Sequence, residues 1–167
     1  MSIARLTEQI EILVKNGMLP NSAGISTINI VDFYARLGYI WRLAGATGGA
    51  LKISFVTPDY TNGVRRIPLS DVYYDGVTNL TIYEGGSATT GGDVKTPLNA
   101  DRTALYTSGA TIKTGVTYAD DGTILASWSG SKQKSPDLEL WYLKSSTQYV
   151  FVFSASTNYR IQWAELA

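Results

Sequence analysis

Neither cysteine nor histidine occurs anywhere in the 167 residues. Without cysteine the fold must stand with no disulfide, and without either residue the usual zinc sites have no ligands. Ser-His-Asp and Cys-His nucleophiles are excluded outright, and the side chain that most often shuttles protons near neutral pH is missing. An excess of one charge is missing too. Fourteen basic and fourteen acidic side chains cancel, so there is none of the basic footprint that phosphate neutralisation demands of a nucleic-acid binder. Residues 1–66 carry seven basic and four acidic groups and residues 67–167 carry seven and ten, and the close basic pairs Arg65-Arg66 and Lys132/Lys134 read as solvated loop charges. No apolar run approaches a membrane span. The first residues lack the basic lead, continuous apolar core and small-residue cleavage site of a secretory signal. The expectation is a protein made and folded in a cytoplasm, engaging neither nucleic acid nor membrane, with no metal and no cofactor.

What is present points to strands. Hydrophobic residues make up 44% and charged residues 17%, the balance of a folded chain, and the length suits one core with or without an appendage. Sixteen glycines, an aromatic share of 11% and abundant Thr and Ser favour strands joined by tight turns. The N-terminus differs. Ile3, Leu6, Ile10 and Leu13 recur at helical spacing between a Ser2 cap and Gly17, which predicts a helix over residues 3–16. So short a helix is marginal alone in water and must dock on something. Residues 17–26, with Pro20, Asn21 and Gly24, read as a linker. Residues 1–26 are therefore expected to form an arm, and Ile3, Leu6, Ile10 and Leu13 are its candidate docking stripe, toward its own domain, a sister subunit or a partner.

From about residue 28 the apolar period changes to two. Phe33 to Leu43 alternate across a possible bulge at Gly38, Leu51, Ile53 and Phe55 form one side of the next run, and further runs follow at 65–74, 78–84, 110–118, 122–128, 138–144, 148–154 and 158–165. Asp121-Gly122 has the composition of a tight hairpin turn. Residues 85–93, Gly-Gly-Ser-Ala-Thr-Thr-Gly-Gly-Asp, have that of a mobile surface loop. Nine or ten short strands at this spacing predict that residues 27–167 are an all-β, antiparallel two-sheet sandwich of the jelly-roll kind. Its core is expected to hold Ile53, Phe55, Leu80, Ile82, Phe151, Phe153 and Ile161.

Chemistry-bearing constellations are sparse, and no catalytic residue is assigned. Asp71 and Asp75 flank Tyr73-Tyr74 in the manner of a two-acid sugar site, but adjacency in sequence supplies no cleft, and Asp75 before Gly76 reads more simply as a turn residue. Asp120-Asp121-Gly122 lacks the spaced ligands and closing Glu of a calcium loop. Gly85-Gly86 and Gly91-Gly92 are followed by no Lys-Ser/Thr and no helix start, so they do not cradle phosphate. Trp41, Trp128, Trp141 and Trp163, with eleven tyrosines, either fill core and subunit seams or line a carbohydrate-binding face.

One segment carries a resemblance. Asn79–Glu84, with its Leu-x-Ile-Tyr-Glu-Gly pattern, runs into the small-residue stretch and closes on Thr96-Pro97-Leu98-Asn99. This resembles the β-rich decoration, or cement, proteins of tailed-bacteriophage heads. The likeness continues more loosely through Leu140–Leu143, Tyr149–Phe153 and Ile161–Trp163, covering roughly residues 50–167. It implies a non-enzymatic virion protein on the outer surface of the capsid, present in the host cytoplasm during assembly. Such a protein binds the phage major capsid protein and stabilises the head by bridging its subunits, as a homo-oligomer with a trimer favoured. The alternative is a carbohydrate- or receptor-binding sandwich module of a phage fibre or head fibre, with a glycan as partner. A solvent-facing cluster of Trp and Tyr distinguishes that alternative from aromatics buried in core or seam.

Overall fold

A computed structural model describes residues 39–59, 67–103, 105, 107–133 and 141–165. The N-terminal helix and linker expected over 1–26, with Ile3, Leu6, Ile10 and Leu13, lie outside the described residues, as does the run before Tyr39. Among the described residues the secondary structure is entirely β. The strands are β1 (Ile40–Thr47), β2 (Leu51–Val56), β3 (Ile67–Thr90), β4 (Asp93–Lys95), β5 (Leu98–Asn99), β6 (Thr111–Thr114), β7 (Thr117–Gln133), β8 (Trp141–Leu143), β9 (Gln148–Phe153) and β10 (Thr157–Ala164).

Two antiparallel sheets face each other, and β3 belongs to both. Its first half pairs with β8 on one side and β10 on the other; β10 pairs in turn with β1, and β1 with β5. Its second half pairs with β7 and with β9, followed outward by β2, β6 and β4. All ten strands thus share one continuous ladder. The passage between sheets falls at Asp75–Val77, where the β3–β7 register shifts and Gly76 takes φ +87°. A left-handed backbone there costs glycine nothing. Thr157 and Asn158 bind the backbone and side chain of Asp75 at this corner. The two expected strands at 65–74 and 78–84 are therefore one strand bent at a glycine.

Period-two placement puts the large apolar side chains between the sheets. Ile53, Phe55, Leu80, Ile82, Phe151, Phe153 and Ile161 are all fully buried, joined by Tyr74, Tyr149 and Trp163. Phe55 of one sheet meets Trp163 of the other edge-on, with ring centroids 4.8 Å apart at 89°. Phe153 stacks on Tyr159 at 5.3 Å. Aromatic pairs in these geometries contribute roughly 0.5–1.5 kcal/mol beyond simple burial.

Two sequence expectations are corrected. The glycine-rich stretch from residue 85 continues β3 to Thr90 and pairs with β7, and Asp121-Gly122 lies inside β7 rather than at a hairpin tip. The reason is a close backbone crossing. Gly122 has φ +100° and its N–H is held by Asp120 Oδ1 at 2.9 Å. A Cβ added there would lie 2.7 Å from Gly86 N and closer still to the Glu84 carbonyl oxygen. Gly85, Gly86 and Gly122 let this ribbon fold against the outer side of its own sheet. There Asp121 accepts from Lys52 Nζ at 2.6 and 2.7 Å, Gln148 donates to the Tyr118 hydroxyl at 3.0 Å, and Val150 is completely buried.

Candidate functional site

Cross-strand register places the tryptophans. Trp41, Trp163, Leu69 and Trp141 form one row across the first sheet. Trp163 and Trp41 are buried, whereas Trp141, on the outermost strand, is only half-buried. In the second sheet Trp128 sits beside Leu80 on β7, again at the margin. The two marginal indoles meet across the gap between the sheets, with centroids 5.9 Å apart at 38°. Among the described residues, one side of the sandwich is thus flanked by aromatic side chains from β7 and β8.

Beside this pair lies a cleft of about 390 Å³ lined by Glu84, Leu125, Trp141, Tyr142, Leu143 and Tyr149. Leu125 reaches it through a bulge: Ile82 pairs with Ala126 and Tyr83 with Ile124, leaving Leu125 as the extra residue. Tyr142 is 47% exposed and Leu125 40%. The polar wall is a connected set. The Lys144 ammonium donates to Glu84 Oε1 at 2.5 Å, the Tyr149 hydroxyl donates to Glu84 Oε2 at 3.0 Å, and the Lys144 backbone N–H donates to the Tyr149 oxygen at 2.9 Å. The Lys144 hydrogen bond holds the Glu84 carboxyl below its ordinary value against the opposing effect of burial. Burial pushes the Tyr149 phenol up to about 12, so near neutral pH the wall presents a carboxylate and a neutral phenol beside the Lys144 side chain.

The acids singled out in the sequence are placed elsewhere. Asp71 accepts from Arg160 Nε at 2.9 Å and Nη2 at 2.5 Å, and that guanidinium lies 5.6 Å from the Tyr73 ring centre. Asp75 accepts from the backbone and side-chain amides of Asn158 at 2.8 to 3.1 Å. Both carboxylates tie β3 to β10, and neither lines the cleft. Asp120 and Asp121 serve the Gly122 crossing and the Lys52 pair. Among the described residues no group of three or more acidic side chains converges as a metal site would require.

Two features escaped the sequence reading. Glu84 stands in the same alternation phase as Leu80 and Ile82, so an acid on the inward side of a strand was the available signal for the cleft. Glu165 is buried and accepts from Ser108, the Gly109 N–H and the Trp163 indole at 2.5 to 2.9 Å. It pins the segment before β6 to β10, and no local pattern announces so distant a pairing.

A second surface is the outer edge of β7. Among the described residues this strand pairs only with β3, and Ile124 on it is 60% exposed. Such an edge presents a row of main-chain donors and acceptors to any approaching strand. No family model, no curated protein and no solved structure matches the chain.

Proposed function

We propose that the protein is a structural virion component that binds the outer surface of a tailed-phage capsid and stabilises the head by bridging capsid subunits. The observation that carries this reading is the edge of β7: a long strand paired on one side among the described residues, with an exposed isoleucine and a bulged leucine at its centre. Main-chain pairing along such an edge supplies affinity, and exposed apolar side chains supply register. The segment likeness to head decoration proteins over Asn79–Glu84 and Thr96–Asn99 supports the same reading.

In this account the sandwich is of the jelly-roll kind and acts as a homo-oligomer, a trimer matching a three-fold capsid position. The arm over residues 1–26 adds anchorage through Ile3, Leu6, Ile10 and Leu13. Contacts of ordinary specific size, about 1,200–2,000 Å² in total, favour the assembled lattice over free subunits when repeated over many sites. No step of bond chemistry is involved. The test is co-sedimentation of purified protein with cognate heads that lack it. Saturable binding, lost in Ile124→Lys, supports the proposal; absence of binding by a folded, full-length protein overturns it.

A further inference from the structure

We propose that the cleft between β7 and β8 is a binding site for a neutral pyranose ring, so that the protein holds a glycan as well as a protein surface. This goes beyond capsid binding and does not depend on it. A pyranose has a face of C–H groups and a rim of hydroxyls, and the cleft offers a counterpart to each. Trp141, Tyr142 and Leu125 provide apolar and aromatic surface, while Glu84, Lys144 and Tyr149 line or border the same space. Its volume of about 390 Å³ falls within the range of small-molecule sites.

The polar wall decides between occupants. Glu84 uses one bond on each oxygen within the protein, leaving acceptor capacity on both, and Lys144 spends one of its three donors on Glu84. A hydroxyl pair can accept from the ammonium and donate to the carboxylate together. An apolar peptide side chain seated there would leave the remaining acceptor capacity of the part-buried Glu84 carboxylate unused. The carboxylate and ammonium are paired with no net charge between them, so net charge does not draw an anionic or cationic ligand to the site. A neutral polyhydroxylated ring with an apolar face matches the aromatic and charged walls at once.

The chain has four tryptophans, and they make the test direct. The indole N–H signals of full-length, isotope-labelled protein would be followed by NMR during titration with four probes: methyl β-glucopyranoside, methyl β-galactopyranoside, methyl α-mannopyranoside and methyl N-acetyl-β-glucosaminide. Glycerol serves as a non-ring control, and Trp128→Phe and Trp141→Phe assign the signals. At least one probe should shift the Trp128 and Trp141 signals saturably, with a Kd on the order of 1 mM, leaving the buried Trp41 and Trp163 in place. Tyr142→Ala, at an exposed position, should weaken that binding by at least about threefold, the scale of one lost aromatic contact. Glu84→Gln should weaken it while preserving the spectrum of the free protein. Three results would each overturn the proposal: no saturable shift with any probe, equal shifts in all four indoles or with glycerol, and unchanged affinity in Tyr142→Ala. Capsid binding is absent from this assay, so its failure and that of the capsid reading are separable.

Discussion

Replacing Gly122 by asparagine separates a strand crossing from a hairpin turn. In a tight turn, asparagine tolerates the left-handed backbone and substitutes for glycine with little loss. At Gly122 two costs combine. Its φ of +100° disfavours any side chain by about 1–2 kcal/mol. Its Cβ position also falls 2.7 Å from Gly86 N, with the Glu84 carbonyl oxygen nearer still. These are backbone atoms of the paired strand and cannot rotate away, so β3 and β7 must separate locally. One or two ladder hydrogen bonds would be lost at roughly 1 kcal/mol each. The sum is about 2–4 kcal/mol for alanine and asparagine alike, or a fall in Tm of roughly 4–16 °C for a chain of this size. Gly115 is the internal control: it has φ +74° and nothing within 4 Å of an added Cβ, so Gly115→Asn should cost less than about 1 kcal/mol. Urea unfolding followed by tryptophan fluorescence measures all three. A Gly122→Asn variant within about 0.5 kcal/mol of wild type would refute the crossing geometry, that being the scatter of innocuous surface changes.

Other perturbations test other parts of the fold. Phe151 is fully buried and edge-on to Phe55 at 6.1 Å, so Phe151→Ala should cost about 3–5 kcal/mol in the same assay. Asp71→Asn loosens an ion pair whose arginine is 45% exposed, and a change of no more than about 1 kcal/mol is expected; glycan hydrolysis by the wild type that disappears in this variant or in Asp75→Asn would contradict the assignment of both acids to structure. Because the folded-state Glu84 carboxyl is held below its ordinary value, it adds stability above that value and loses it as pH falls through the folded-state value. The stability advantage of wild type over Glu84→Gln should therefore be level near neutrality and shrink in acid. Tyr149 has the opposite sign: its folded value of about 12 exceeds the ordinary 10.0, so stability should fall as pH rises from 10 toward 12, less steeply in Tyr149→Phe.

The sandwich was legible because its core is written in strict alternation. All seven residues that period two assigned to the core are completely buried. What local composition misreads is non-local pairing. Gly85-Gly86 and Asp121-Gly122 look like turns in isolation, yet each supplies the other's reason to be strand, since two backbones can cross that closely only where both lack side chains. Alternation also ranks all four tryptophans alike. It cannot report that Trp163 lies mid-sheet while Trp128 and Trp141 lie on marginal strands, because position within a sheet is set by pairing between segments far apart in sequence. The cleft was hidden for the same reason: Glu84 and Lys144 are 60 residues apart and meet only once β8 and β9 turn back toward β3.

Capsid association is open to direct imaging of heads with and without the protein. Cryo-electron microscopy of cognate heads from which the protein has been deleted, before and after saturation with purified full-length chain, would locate any bound copy. Added density is expected on the outer surface at symmetry-related sites, at a fixed copy number, with the β7 edge toward the shell and Ile124→Lys leaving those sites empty. Heads indistinguishable before and after addition, or density attached through other surfaces and unaffected by Ile124→Lys, would contradict it.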